Sequence, residues 1–341
     1  MLEVERLLAD CLHDVRTQGH RTVPLTAEPG TAYAEARRTF LTAGLRALRD
    51  DLPESGWTQL SLAPGRHPLP DLYRRLAAAA RALTGPEGPA GDFFFLHKPP
   101  GLRIRFRAAG PEHAEDLRAA LRHHFTPRDG DGEPPVEGVY EPEVYLFGGP
   151  RAMPWVHALF TADSLAWLDH HAGTGGHGAP PPPDWRVSLT LLRAMLDGLG
   201  VVGWEHRGVW TAVREETGRR LPDGLTGPAR QHAAAGVRGY WRCSRDEQLG
   251  ALPAGWRDAV RGHAEAVQQA AERWRAGYFE SGDACTGPRR AAAFAVIFHW
   301  NRGRFSVARQ ALLTEALAEA DTPFPAGADT PAPAPAYGKA R

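Results

Sequence analysis

The sequence predicts an α+β fold, a ferredoxin-like antiparallel sheet unit followed by a mainly helical C-terminal half, and three observations predict it. Between residues 57 and 147, apolar runs of strand and helix character alternate in the order β-α-β-β-α-β, the split unit whose helices cover one face of the sheet. Beyond residue 150 apolar residues recur almost wholly at helical spacing. Between these patterns, Phe93-Phe94-Phe95-Leu96-His97 turns through Lys98-Pro99-Pro100-Gly101 into Leu102-Arg103-Ile104-Arg105-Phe106-Arg107, where arginine alternates with large apolar residues.

The elements follow in chain order. Leu7, Leu8 and Leu12, then Phe40, Leu41, Leu45 and Leu48, give residues 2 to 17 and 34 to 50 helical periodicity, so 1–52 reads as an N-terminal helical segment. The unit at 53–150 holds a strand from Trp57 to Leu62, an Ala-rich helix from Leu69 to Leu83 and strands from Asp92 to Lys98 and Leu102 to Ala108. A helix from Pro111 to Phe125 and a strand from Val136 to Phe147 complete it. Residues 151–320 read as helices from Pro154 to His171, Arg186 to Leu199, Trp204 to Arg219, Trp256 to Ser281, Arg289 to Arg302 and Ser306 to Ala320. Turn-rich composition marks Thr126 to Pro135 and Gly173 to Pro183 as linkers, the second a surface loop or a flap over a cleft. The stretch 321–341 reads as a disordered tail.

Side chains alternate faces along a strand, so Leu102, Ile104 and Phe106 face a core while Arg103, Arg105 and Arg107 share the other side. That side is either a solvated surface balanced by carboxylates or a groove for a polar or acidic ligand. A helical half lying against it would make a cleft.

Composition narrows the function classes. The apolar fraction of 43% supports sizeable cores, and 341 residues suit two domains. Forty basic residues balance forty acidic ones, which removes the field that a nucleic-acid or anionic-membrane binder carries. Cys11, Cys243 and Cys285 are odd in number, far apart and outside any C-x-x-C spacing, and no apolar signal or spanning run appears; the reading is a cytoplasmic protein with reduced thiols. His123-His124, His170-His171 and His177 show no zinc spacing, His263-Ala264-Glu265 lacks a following Pro-Cys-x-x-Cys, and Gly148-Gly149 leads to Pro150 instead of a phosphate loop. Neither metal nor cofactor is expected.

Polar groups gather near the late helix ends. Trp274, Tyr278 and Ser281 lie at i, i+4 and i+7 and so share a helix face. In Phe298-His299-Trp300-Asn301-Arg302-Gly303, His299 and Arg302 are i, i+3 neighbours before a natural helix stop. These residues are either a site or, for Trp274, Tyr278 and His299, core side chains with satisfied polar atoms; spacing leaves both open.

Several of these segments, in order, carry a resemblance: Trp57-x-Gln59; Pro99-Pro100-Gly101-Leu102-Arg103-Ile104-Arg105-Phe106; Tyr140-Glu141-Pro142-Glu143-Val144-Tyr145-Leu146-Phe147-Gly148-Gly149; Phe160-x-x-Asp163-Ser164; and His299-Trp300-Asn301-Arg302. Over roughly residues 57 to 320 the chain resembles the C-terminal domain of class I lanthipeptide dehydratases and, more closely, its stand-alone relatives in thiopeptide biosynthesis. That family divides into lyases that eliminate glutamate from glutamylated serine and threonine, and pyridine synthases that join two dehydroalanines by a formal 4+2 aza-cycloaddition. Elimination domains read Glu-x-x-Arg-Tyr-Gly-Gly, whereas Leu146 stands here in the arginine position. They also carry a histidine four residues before Asn-Arg, where this chain has Ile297.

The resemblance therefore implies a cofactor-independent pyridine synthase that acts on a ribosomally made, leader-bearing precursor peptide, forms the pyridine-centred macrocycle, and loses water and the leader. Other thiopeptide modification enzymes are possible partners. Tyr278, His299 and Ser281 are expected to supply acid-base chemistry. Arg103, Arg105, Trp274, Glu143, Tyr145, Asn301 and Arg302 are expected to bind substrate, with Tyr278 and His299 sharing a cavity with the two strand arginines. A glutamate-eliminating lyase and a non-catalytic leader-peptide chaperone are the alternatives.

Overall fold

The computed structural model describes residues 56–63, 68–98, 101–127, 133–176, 178–282 and 284–318, with a few helical positions before residue 56. Most of the N-terminal helical segment, Cys11, Pro99-Pro100, His177 and the 321–341 tail lie outside the described residues.

Four strands, β1 (Trp57–Leu62), β2 (Ala90–Lys98), β3 (Gly101–Ala108) and β4 (Val136–Gly138), form one antiparallel sheet in the order β2-β3-β1-β4. This is the ferredoxin-like order expected from the element succession. Its helices are α1 (Leu69–Leu83) and α2 (Ala114–Phe125). In α1, Pro70 and Asp71 favour the first turn, and Leu72, Tyr73, Leu76, Ala80 and Leu83 form the buried stripe. The alternation in β3 sorts as predicted for the apolar set: Leu102, Ile104 and Phe106 are at most 2% exposed.

The expected strand from Val136 to Phe147 is corrected. Pairing ends at Gly138, and the chain re-forms as the one-turn helix α3 (Val144–Phe147), closed by Gly148 at φ 97°. Pro142 has no N–H to give a ladder, and Gly148 takes a left-handed conformation that strands do not use.

The helical half comprises α4 (Met153–Ala172), α5 (Asp184–Gly198), α6 (Glu205–Glu216), α7 (Pro228–Arg242), α8 (Arg245–Gly250), α9 (Arg257–Trp274), α10 (Pro288–Arg302) and α11 (Val307–Ala318). Helices α7 and α8 lie in a stretch given no element from sequence. Gly236 and Gly239 lower helix propensity in α7, yet Ala234, Val237, Tyr240 and Trp241 make a buried stripe along it. The long helix expected from Trp256 to Ser281 is also corrected: beyond Trp274 it widens into a π turn, Arg275–Phe279.

From Gly56 onward the chain forms one compact unit with a continuous core, so sheet and helices meet without a break at residue 150. Helix α4 joins them. It runs along the outer edge of β2, where the Phe93 N–H donates to Thr161 Oγ1 at 3.0 Å and the Phe95 N–H to Ser164 Oγ at 3.4 Å. Two free edge donors are thereby satisfied by side chains of a helix, which closes the edge to further pairing.

Candidate functional site

The sheet face opposite α1 and α2 carries Trp57, Gln59 and Ser61 from β1, Arg103, Arg105 and Arg107 from β3, and Asp92, Phe94 and Leu96 from β2, as their cross-strand register requires. Its three arginines are not equivalent. Arg107 Nε donates to Asp92 Oδ2 at 2.7 Å. Burial raises the Asp92 carboxyl above its ordinary range, against the pull of that guanidinium. Among the described residues no carboxylate lies within 4.0 Å of Arg103 or Arg105.

Arg105 is nonetheless buried, at 8% exposure. Its Nε donates to Gln59 Oε1 at 2.8 Å, and its guanidinium lies 4.6 Å from the Tyr140 ring centroid and 5.1 Å from that of Phe94. Gly138 makes the Gln59 position possible, since a Cβ there would stand 2.4 Å from Gln59 Nε2. Burial pulls the Arg105 guanidinium down to about 10, with Arg103 and Arg302 pushing the same way and Tyr140 and Glu143 opposing. It therefore stays charged at neutral pH, held by π faces and one amide.

Tyr140 and His157 complete this wall. The Tyr140 hydroxyl and His157 Nε2 are 2.8 Å apart, and Trp57 packs 4.9 Å from Tyr140 and 4.5 Å from His157. Burial, reinforced by Arg107 and Arg105, brings the His157 imidazole down to about 3, so the ring is neutral and shares one hydrogen with the phenol oxygen. Sequence reading missed Gln59, Tyr140 and His157 as site residues. Gln59 and Tyr140 stand in the same motifs that supplied Trp57 and Glu143, and His157 lies one helical turn before Phe160, which were the signals available.

A ridge of aromatic rings leads from this wall to the helix ends: Phe94 to Phe160 at 5.4 Å, Phe160 to Phe298 at 5.0 Å, Phe298 to Phe147 at 5.8 Å and Phe147 to Trp274 at 6.1 Å. Arg302 rests on it, its guanidinium 4.2 Å from the Phe160 centroid and 5.9 Å from that of Phe94. The structure thus brings Arg302 near Arg105, with Glu143, the residue just before α3, close enough to act on the same charge. Glu143, Tyr145 and Asn301 are exposed.

The remaining expected site residues sit elsewhere. Trp274 is fully buried against Phe147 and Phe279 and belongs to the core. Tyr278 is 1% exposed; its hydroxyl donates to the Gly148 carbonyl at 2.8 Å and accepts the Cys285 N–H at 2.9 Å. That contact requires glycine, because a Cβ on Gly148 would stand 2.0 Å from the phenol oxygen. Ser281 is exposed, its hydroxyl turned to the Tyr278 carbonyl at 2.8 Å. Of the expected shared face, Trp274 and Tyr278 stay together, both buried and packed on Phe279 at 5.2 and 5.0 Å, whereas the helix ends at Phe279 and Ser281 lies beyond it.

His299 does not reach the arginine face. It is 3% exposed, with Nδ1 at 2.6 Å from Asp163 Oδ1 and Nε2 at 2.9 Å from Ser188 Oγ, deep among α4, α5 and α10. The cavity it borders, lined also by Asp163, Arg302, Leu191, Met195 and Val267, measures about 10 Å³, room for one water and no substrate. Asp163 Oδ2 accepts from Arg302 Nη1 at 2.7 Å, and His299 and Arg302 together hold the carboxyl below its usual range although burial opposes them. Asp163 entered the sequence reading only within the Phe160-x-x-Asp163-Ser164 motif, without a role, and Ser188 was not singled out. An acid within one turn of Leu159, Phe160, Ala166 and Trp167 was the available sign, since a buried carboxylate needs partners.

Among the described residues no group of three or more His, Cys, Asp or Glu is placed to hold a metal, and no helix is long and apolar enough to cross a membrane.

Comparison with known proteins bears on this site. No curated protein matches the chain. Among solved structures, the tRNA-dependent lantibiotic dehydratase MibB from Microbispora sp. 107891 is similar over 78% of this chain and 28% of its own, with 20% identity and a TM-score of 0.51. TsrL is similar over 77% of this chain and 93% of its own, with 15% identity and a TM-score of 0.45. The chain thus spans well under a third of MibB, and at that identity the likeness establishes the fold alone. The family model described as "Lantibiotic biosynthesis dehydratase C-term" matches residues 57–320, the whole of the sheet and helical half, and the chain belongs to that family.

Proposed function

We propose that this chain is a pyridine synthase of thiopeptide biosynthesis. One observation carries the choice over glutamate elimination. Leu146 on α3 and Ile297 on α10, the positions at which elimination domains carry an arginine and a histidine, are half-buried and apolar, on elements packed together through Phe147 and Phe298 at 5.8 Å. A lyase would need a cation for the departing glutamate and a base for the α-proton there, and neither is present at those positions.

The reaction asks for orientation more than for strong acid-base groups. One dehydroalanine with its amide in the iminol form supplies the four-atom azadiene, the second dehydroalanine supplies the alkene, and water and then the leader, as its amide, leave to give the aromatic ring. Closing a peptide loop of about ten residues costs only ~2 kcal/mol, whereas holding the two partners aligned contributes up to ~7 to 11 kcal/mol. Arg103 and Arg105, which have no carboxylate partner among the described residues, suit the amide oxygens that must be polarised toward the iminol. Phe298, the half-buried member of the aromatic ridge, offers an apolar face for an azole ring. Tyr278 and Ser281 remain acid-base candidates at the Gly148 turn. A catalytic Tyr278 would have to exchange the Gly148 carbonyl for substrate.

Mass spectrometry of the purified protein with a leader-bearing peptide containing two dehydroalanines tests the reading. The expected products are a pyridine macrocycle and free leader amide. Their absence, or conversion of a glutamylated peptide instead, overturns it; tight leader binding with no turnover favours the chaperone.

A further inference from the structure

The buried groups around His299 form one connected chain of hydrogen bonds. A 2.6 Å separation between His299 Nδ1 and Asp163 Oδ1 requires a proton between them, and the other carboxyl oxygen already accepts from Arg302, so the hydrogen belongs to Nδ1. The Trp167 indole N–H is also directed at this nitrogen, at 3.1 Å, a longer and uncharged claim on it than the 2.6 Å carboxylate contact. Nε2 is left to accept the Ser188 hydroxyl at 2.9 Å, and Ser188 Oγ accepts the Trp300 indole N–H at 3.1 Å. Trp300, Ser188 and His299 therefore donate in sequence toward Asp163, which Arg302 meets from the other side, and bonds aligned this way strengthen one another. Every member is at most 4% exposed.

The arrangement of serine, histidine and aspartate is that of a hydrolase triad, but Ser188 is fully buried and spends its oxygen on Trp300, so nucleophilic chemistry is excluded. The chain reaches instead the ridge beside the arginine face. Arg302 sits on Phe160, Phe160 stacks on Phe298, and Phe298 is half-exposed on the α10 face that also presents Ile297.

We propose that Ser188 is a positioning residue: acting through the Nδ1–H tautomer of His299, it orients the Asp163 carboxylate, which fixes Arg302 on Phe160 and with it the α10 wall of the site. Nothing at Ser188 touches substrate. Loss of its hydroxyl leaves Nε2 without a donor and removes the contact that holds the ring against Asp163.

The rate arm of the test rests on the proposed pyridine synthase reading; the spectroscopic arm does not. Proton NMR of the full chain in water should reveal a slowly exchanging imidazole N–H far downfield of the amides, present in the wild type, absent in His299→Gln and broadened in Ser188→Ala. Asn at position 299 keeps a donor near the Nδ1 place. On the bis-dehydroalanine peptide His299→Asn should therefore retain most of kcat, while His299→Gln and Ser188→Ala lose about ten- to hundredfold with KM little changed, the size of a small misplacement of site groups. If Ser188→Ala fails to fold, the Asn and Gln pair carries the comparison. Absence of the downfield proton in the wild type, or equal loss in His299→Asn and His299→Gln, overturns the proposal. A wild type that turns over nothing defeats the function reading alone, and the NMR arm still decides this one.

Discussion

Arg105 and Arg302 are buried guanidiniums set against the same ring, Phe94, and the molecule treats their charge in opposite ways. Arg302, fully buried in the helical half, has a carboxylate at 2.7 Å backed by His299 and Ser188. Arg105, on the sheet face, has an amide and two π faces, and Arg103 beside it has no carboxylate among the described residues. A buried charge with its counter-ion built in is part of the framework; one without is disposed to take an acceptor from outside. This contrast separates scaffold from site more sharply than any cavity does.

Acid is the broadest way to break it. Burial is the first cause that brings His97, His171 and His206 down to about 4 and His157 to about 3. These folded values lie below that of the unfolded chain, so the unfolded state binds more protons between pH ~6.5 and ~4, and stability is full above that window and falls through it. At about 1.4 kcal/mol per pH unit for each proton, four histidines remove several kcal/mol by pH 5. Denaturant melts across pH 7.5 to 4.5 should trace that loss. Because Arg105 adds to the His157 shift, Arg105→Met should raise that one pKa, read by NMR titration, and leave His206 in place.

Asp163→Asn should come next, at about 3 to 5 kcal/mol of destabilisation in urea melts, because it strands a buried guanidinium. Arg105→Met strands no carboxylate and only the Gln59 amide oxygen, and should cost about 1 to 3 kcal/mol. Equal costs would erase the distinction. Gly148→Ala, which meets the Tyr278 hydroxyl and must hold φ near 97°, should cost about 1 to 3 kcal/mol, while Tyr278→Phe costs about 1 kcal/mol. Thr161→Val, which deprives the Phe93 N–H of its acceptor on the β2 edge, should cost about 1 to 3 kcal/mol, measured the same way.

Much of the framework was legible from residue order. The strand at Trp57–Leu62 and the helix at Leu69–Leu83 fall where periodicity puts them, and the arginine alternation in β3 assigns its two faces correctly. Periodicity says which residues share a face, not what that face meets. It therefore placed His299 and Tyr278 beside neighbours but left open that one turns to Asp163 and the other to Gly148. The π turn at Arg275–Phe279 was invisible because it arises from tertiary contact: Gly277 lies under Trp155, where a Cβ would stand 2.2 Å from the indole. Helix α7 was lost to its glycines, although its apolar stripe was present.

Conversion of the bis-dehydroalanine, leader-bearing peptide by wild type and Arg105→Met, with melting temperatures taken on the same samples, tests the central claim most directly. An Arg105 that lacks a carboxylate among the described residues and serves substrate predicts a variant that melts within a few degrees of the wild type and makes macrocycle at least about a hundredfold more slowly. A stable Arg105→Met that matches the wild-type rate would contradict it.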